Sequence, residues 1–137
     1  MITFELPYAP SVNHYYRHVG ARVLISREGR KYRERVSALI ADEKIATLMG
    51  DIELRVQLYP PDRRRRDIDN VLKVLLDTLT IGKLYQDDSQ VKRLAVEKLE
   101  PMPPDGKVII GVKEIGKVAK ERPDSTGASG SELPAGR

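Results

Sequence analysis

Asp67 and Asp69 stand two residues apart, directly after four consecutive arginines, in the run RRRRDIDN. A second acidic pair, Asp87 and Asp88, follows in YQDDSQ. Carboxylates brought together without a partner repel, and some would have to stay protonated. A divalent cation removes that conflict. Hard oxygen ligands with open water positions describe a Mg²⁺ or Mn²⁺ site. Cysteine is absent and the two histidines, His14 and His18, lie in an early loop, so zinc has little support. Beside an arginine run, such a site suits phosphodiester hydrolysis. The metal polarises the phosphate and lowers the pKa of a water, while Arg63, Arg64, Arg65 and Arg66 hold neighbouring phosphates. No Ser–His or Cys–His nucleophile arrangement is present.

Each of these residues also has a plain structural reading. A carboxylate at a helix N-terminus caps free N–H groups, which accounts for one of the two aspartates in DIDN. From Asp69 to about Thr80 a helix rises roughly 17 Å. The stretch from Ile81 to Asp88 extends up to about 26 Å. The QDD loop is therefore long enough to return to the helix N-terminus, where Asp87 or Asp88 can meet Asp67 and Asp69. Lys73 either joins an i, i+4 ladder, Asp69–Lys73–Asp77, or aims an ammonium at the scissile phosphate. Asp77 lies about 12 Å along the helix from Asp69 and reads as an ordinary surface residue. Asn70 caps the helix or contacts a phosphate. Aromatics in HYYRH, from His14 to His18, either fill the edge of a core or stack on bases.

The elements that must position these groups follow from periodicity. ITFELP alternates Ile2, Phe4 and Leu6 against polar neighbours, as a half-buried strand does. ARVLIS is a short strand that can pair back on the preceding segment. Ser26 can cap a helix that starts near Arg27, buries Tyr32, Val36, Leu39 and Ile40, and runs to Gly50. IELRVQLYP is the cleanest strand, stopped by Pro60 and Pro61. Ile68, Val71, Leu72, Leu75, Leu76 and Leu79 follow helical spacing, with Gly82 as the stop. VKRLAVEKLE and KVIIGVKEI read as two closing strands that form a hairpin across PMPPDGK. The fold expected is a single two-layer α/β (α+β mixed) domain over 1–117. One mixed sheet would pack against two main helices. Residues 118–137, rich in Pro, Ser, Gly and charge, are expected to form a disordered tail. A two-layer arrangement leaves sheet surface free for a second copy.

The chain of 137 residues carries a net charge of +4, a modest excess. Its distribution says more. Arg63 to Arg66 form one basic group; Arg27, Arg30, Lys31, Arg33 and Arg35 form another. Concentrated cations point to a polyanion, nucleic acid first. The opening MITFELPYAP lacks a signal-peptide pattern, and no apolar run approaches membrane-spanning length, so a cytoplasmic protein is expected.

RRRRDIDNVLKVLLDTLT followed by YQDDSQV resembles the signature of the RusA family of Holliday junction resolvases. LPYAPSVNHYYRH resembles that family's N-terminal segment, and the resemblance spans roughly residues 2 to 115. It implies a homodimeric, Mg²⁺-dependent endonuclease acting on four-way junction DNA in recombination and repair. It implies Asp67, Asp69 and Asp88 as metal-binding catalytic carboxylates, selecting Asp88 over Asp87, and Lys73 as an essential lysine. It implies DNA contacts from Arg63, Arg64, Arg65, Arg66 and Asn70, and from Ser11, Val12, Asn13 and His14. A two-fold symmetric dimer would present two equivalent sites to two equivalent strands of a junction. A non-catalytic basic DNA-binding module, a broader flap or fork nuclease, and a nucleotidyltransferase are the competing readings.

Overall fold

The computed structural model describes residues 1–116; the expected tail lies outside them. The chain runs β1 (Ile2–Leu6), α1 (Val12–Tyr15), β2 (Tyr16–Val19), β3 (Arg22–Ile25), α2 (Arg27–Asp42), β4 (Ile52–Tyr59), α3 (Ile68–Ile81), a single 3₁₀ turn (Asp88–Gln90), β5 (Val91–Lys98) and β6 (Lys107–Glu114). Four strands form one mixed sheet in the order β1-β6-β4-β5, and β2 and β3 form a separate antiparallel ribbon. No helix among the described residues is long and apolar enough to cross a membrane.

The alternation in β4 does what its period requires. Ile52, Leu54, Val56 and Leu58 are at most 1% exposed, and they meet Val74, Leu75 and Leu79 of α3 and Val36 and Ile40 of α2 in one core. Each fully buried Val or Leu contributes on the order of 1.5–3 kcal/mol. The opposite face of β4, with Glu53, Arg55 and Gln57, lines a shallow groove on the free face of the sheet.

Two sequence expectations change. The closing strands are not a hairpin: β4 lies between them, antiparallel to β6 (Val56 opposite Ile110) and parallel to β5 (Val56 opposite Val96). The connection is tied over the end of β4 by Leu99 N–H to the Leu58 carbonyl and Met102 N–H to the Pro60 carbonyl, both 2.8 Å. That path carries β6 to the far side of β4. Helix α2 ends at Asp42 rather than near Gly50, and Lys44 turns the chain with a left-handed φ of 57°.

The short elements near the N-terminus are held firmly. Ser26 caps α2 as expected, its hydroxyl accepting from Gly29 N–H at 2.9 Å. Gly29 has no side chain for a reason of space: a Cβ there would lie 2.4 Å from the Tyr15 carbonyl oxygen. The root of the β2–β3 ribbon therefore sits directly against the first turn of α2.

Candidate active site

Helix α3 begins at the C-terminal end of β4, and Asp67 occupies its N-cap position. The backbone there is extended, as a cap residue's is, yet the Asp67 carboxylate makes no cap hydrogen bond. Asp69 Oδ1 accepts the adjacent Asn70 N–H at 3.0 Å. Both side chains are exposed, as are Asn70 and Lys73. Capping therefore does not occupy Asp67.

Asp62 shapes the arginine run. Its carboxylate accepts from Arg66 Nη1 at 2.8 Å and from Arg64 N–H at 2.9 Å. Those bonds hold its carboxyl below the usual carboxylate range, Arg66 first. Arg66 is thereby folded inward, over the Tyr8 ring at 5.6 Å, while Arg63, Arg64 and Arg65 stay exposed. Lys98, at the end of β5, donates to the Arg66 carbonyl at 2.8 Å. Sequence reasoning missed Asp62, although its i, i+4 spacing to Arg66 was visible.

Two adjoining grooves meet at this segment. Ser11, Val12, Asn13, Arg65, Arg66, Asp67 and Asn70 line one. Ser11 and His14 continue into the other, which runs between α2 and Arg64 to Arg66. The N-terminal stretch is thus beside the arginines and α3, although Ser11 Oγ is also occupied as the α1 cap, accepting His14 N–H at 3.3 Å.

Lys73 forms no ion pair among the described residues, so of its two readings the ladder is absent; its ammonium lies over the Tyr16 ring at 5.6 Å. Tyr16 packs edge-on against Tyr15, centroids 4.8 Å apart. The Tyr15 hydroxyl donates to Asp77 and accepts from Arg33 Nε (2.7 Å) and the Thr78 hydroxyl (3.2 Å). Arg33 also reaches Asp77 at 2.8 Å. Burial, then the Asp77 bond, pushes the Tyr15 pKa up to about 12. Asp77 is thus a tie between α2, α3 and the ribbon root, not an ordinary surface residue. Removing the hydroxyl, Tyr15→Phe, leaves Asp77 and Arg33 short of a partner. It should cost about 1–3 kcal/mol in urea unfolding.

The second acidic pair divides. Asp87 caps the 3₁₀ turn, accepting from Ser89 N–H at 3.0 Å in a reciprocal capping box with Gln90. Asp88 is exposed and stands at the other end of the sheet from Asp67. Gln90 donates to the carbonyls of Leu48 (2.9 Å) and Gly50 (2.8 Å), just before β4 starts. The route from Asp88 back to the arginine end is β5 itself, about 26 Å of strand at 3.3 Å per residue. The return of the QDD loop to the α3 N-terminus, which its length permits, therefore does not occur within one chain. The physical reason is the parallel pairing of β4 and β5, which makes α3 a crossover and delivers Asp88 beside the helix's C-terminal half. Among the described residues, no three His, Cys, Asp or Glu side chains are grouped to hold a metal ion.

The family model for endodeoxyribonuclease RusA matches residues 7–113, which takes in the grooves, the arginines and Asp67, Asp69, Asp87 and Asp88. The chain belongs to the RusA family. It is similar to the crossover junction endodeoxyribonuclease RusA of Shigella sonnei, at 38% identity over 83% of this chain and 95% of that protein. The figures are the same for RusA of Escherichia coli strain K12. RusA of Enterobacteria phage 82 is 38% identical over 81% of this chain and 92% of its own length. The RusA family assignment agrees with the mixed α/β fold.

Proposed function

We propose that this chain is a homodimeric, Mg²⁺-dependent endonuclease that resolves four-way DNA junctions by paired symmetric nicks in recombination and repair, in the cytoplasm. The observation that carries the reading is the Asp67 carboxylate, left without a cap bond at the N-cap position, next to Asp69 and at the mouth of an arginine-lined groove. A helix N-terminus with two carboxylates and no bond to one of them is poorly explained by stability alone.

The donor chemistry suits a hard divalent cation: exposed carboxylates and no competing thiolate. One chain supplies Asp67 and Asp69; Asp88 of a second copy would complete the set. When bound, the cation polarises the scissile phosphate and acidifies an attacking water; Mn²⁺ is expected to substitute. The chain's own residues do the rest. Arg63, Arg64 and Arg65 hold flanking phosphates, and Asn70 and the Ser11–His14 segment line the path of the strand. Lys73 keeps its ammonium free of carboxylate partners and available to developing phosphate charge. Dimerisation has two supports: Asp88 lies far from its own Asp67, and β5 is an edge strand with Leu94 43% exposed.

The test is cleavage of a labelled four-way junction with Mg²⁺ or EDTA, beside a fork and a duplex of the same sequence. Metal-dependent symmetric cutting of the junction is expected. Binding with no cutting would instead favour a non-catalytic DNA-binding module, and preference for the fork a flap or fork nuclease. Asp87→Asn should keep cutting within about threefold, because Asn caps as well as Asp. Asp88→Asn should lose about 10²-fold or more, as loss of a group acting on the transition state does.

A further inference from the structure

We propose that Lys31 and Arg35, on α2, are the second wall of a channel for the DNA backbone, opposite Arg64 and Arg65. The inference rests on the DNA-cutting reading above and extends it to a helix with no assigned part in binding. Lys31 and Arg35 are one helical turn apart, exposed, and line the same groove as Arg64, Arg65, Ser11 and His14. None of these four cations has an ion-pair partner among the described residues. Two pairs of cations without ion-pair partners, facing one cleft, repel each other in the free protein; Glu28 and Asp105 in the lining, and Asp62 beside Arg64, offset them only in part. A phosphate backbone between the walls removes the repulsion and releases counterions.

Two other cations of α2 have different work, and Arg27 does not line the groove. Arg33 is committed to Asp77 and the Tyr15 hydroxyl, and Arg30 donates to the Ile25 carbonyl at 3.3 Å. Lys31 and Arg35 are the pair that both lines the groove and remains uncommitted. The adjoining groove reaches Asp67 and Asn70, so a strand seated on α2 is led toward the carboxylates. The occupant is a nucleic-acid backbone, recognised by charge and not by base.

The experiment measures junction affinity against salt concentration, without divalent metal, for the full chain and two charge-matched double variants. Lys31→Gln/Arg35→Gln removes two charges from the groove. Lys44→Gln/Lys83→Gln removes two exposed charges from the C-terminal ends of α2 and α3. If each groove cation meets one duplex phosphate, the slope of log K against log salt should become shallower by about 1.8, at about 0.9 per phosphate. The control should keep the wild-type slope. Equal slopes for the two double variants, or no change in either, would overturn the proposal. Lys31→Arg/Arg35→Lys should restore the slope. Failure of the wild-type chain to bind a junction would instead remove the reading on which the proposal rests.

Discussion

Asp69→Asn should abolish junction cutting while leaving junction binding intact, and Asp88→Asn should do the same; mixed together, the two inactive variants should nick DNA again. The single effects follow from charge. An amide is isosteric with a carboxylate but contributes no negative charge to a cation, so cutting should fall about 10²- to 10³-fold. Asn is an equally good helix N-terminal residue, and Asp69 is exposed, so circular dichroism should show an unchanged fold. The mixing result follows from topology. Asp88 precedes β5 at the start of β4, and Asp69 follows the end of β4, so one chain holds them at opposite ends of a strand. If each site takes Asp67 and Asp69 from one copy and Asp88 from the other, a mixed dimer has one fully intact site and one doubly defective site. It nicks one strand and cannot make the paired cut. If both carboxylates act within one chain, both sites of the mixed dimer are dead. Native gel separation of nicked from resolved junction, after co-refolding the two variants, distinguishes these outcomes.

The same topology shows which features were legible in the sequence. β4 and α3 were readable because each has one buried face and a full period of Ile, Val and Leu. The partner of β5 was not. VKRLAVEKLE does not alternate, and only Val91 and Val96 within β5 are even half-buried, so its pattern carries little information about its neighbour. Adjacency suggested a hairpin with β6. The chain instead crosses the end of β4, held by bonds to Leu58 and Pro60 that no local pattern encodes. The same pairing decides where Asp88 lies: the chain after Ile81 is long enough to return to the α3 N-terminus, but it enters a strand parallel to β4 instead. Asp87 could have been assigned: Asp87 and Gln90 are three apart, the spacing of a capping box. Asp77 could not. Its partners Arg33 and Tyr15 are 44 and 62 residues away in sequence, and their meeting depends on how α2, α3 and the ribbon root pack.

Replacing Lys73 should be nearly as damaging as replacing Asp69, and Tyr16 should matter through Lys73 alone. Asp77 is occupied by Arg33 and Tyr15, and no ion pair joins Lys73 to Asp69. The ammonium lies instead over Tyr16, whose ring is backed by Tyr15 and, through the Tyr15 hydroxyl, by Asp77, Thr78 and Arg33. A ring face attracts a cation by its quadrupole without neutralising it. On the proposed function Tyr16 would be a positioning residue, restraining a flexible side chain while leaving its charge for the phosphate. Lys73→Ala should lower the cutting rate about 10²-fold or more at saturating junction. Tyr16→Phe keeps the ring face and should cut like the wild type. Tyr16→Leu should cut about tenfold more slowly, in line with a cation–π contact of 1–2 kcal/mol. In a Lys73→Ala background, Tyr16→Leu should have no further effect, because the two residues act as a unit. A Tyr16→Leu loss of equal size in both backgrounds would mean that Tyr16 acts independently of Lys73. A weakened junction affinity in Tyr16→Leu, rescued by Phe, would assign the ring to stacking on a base.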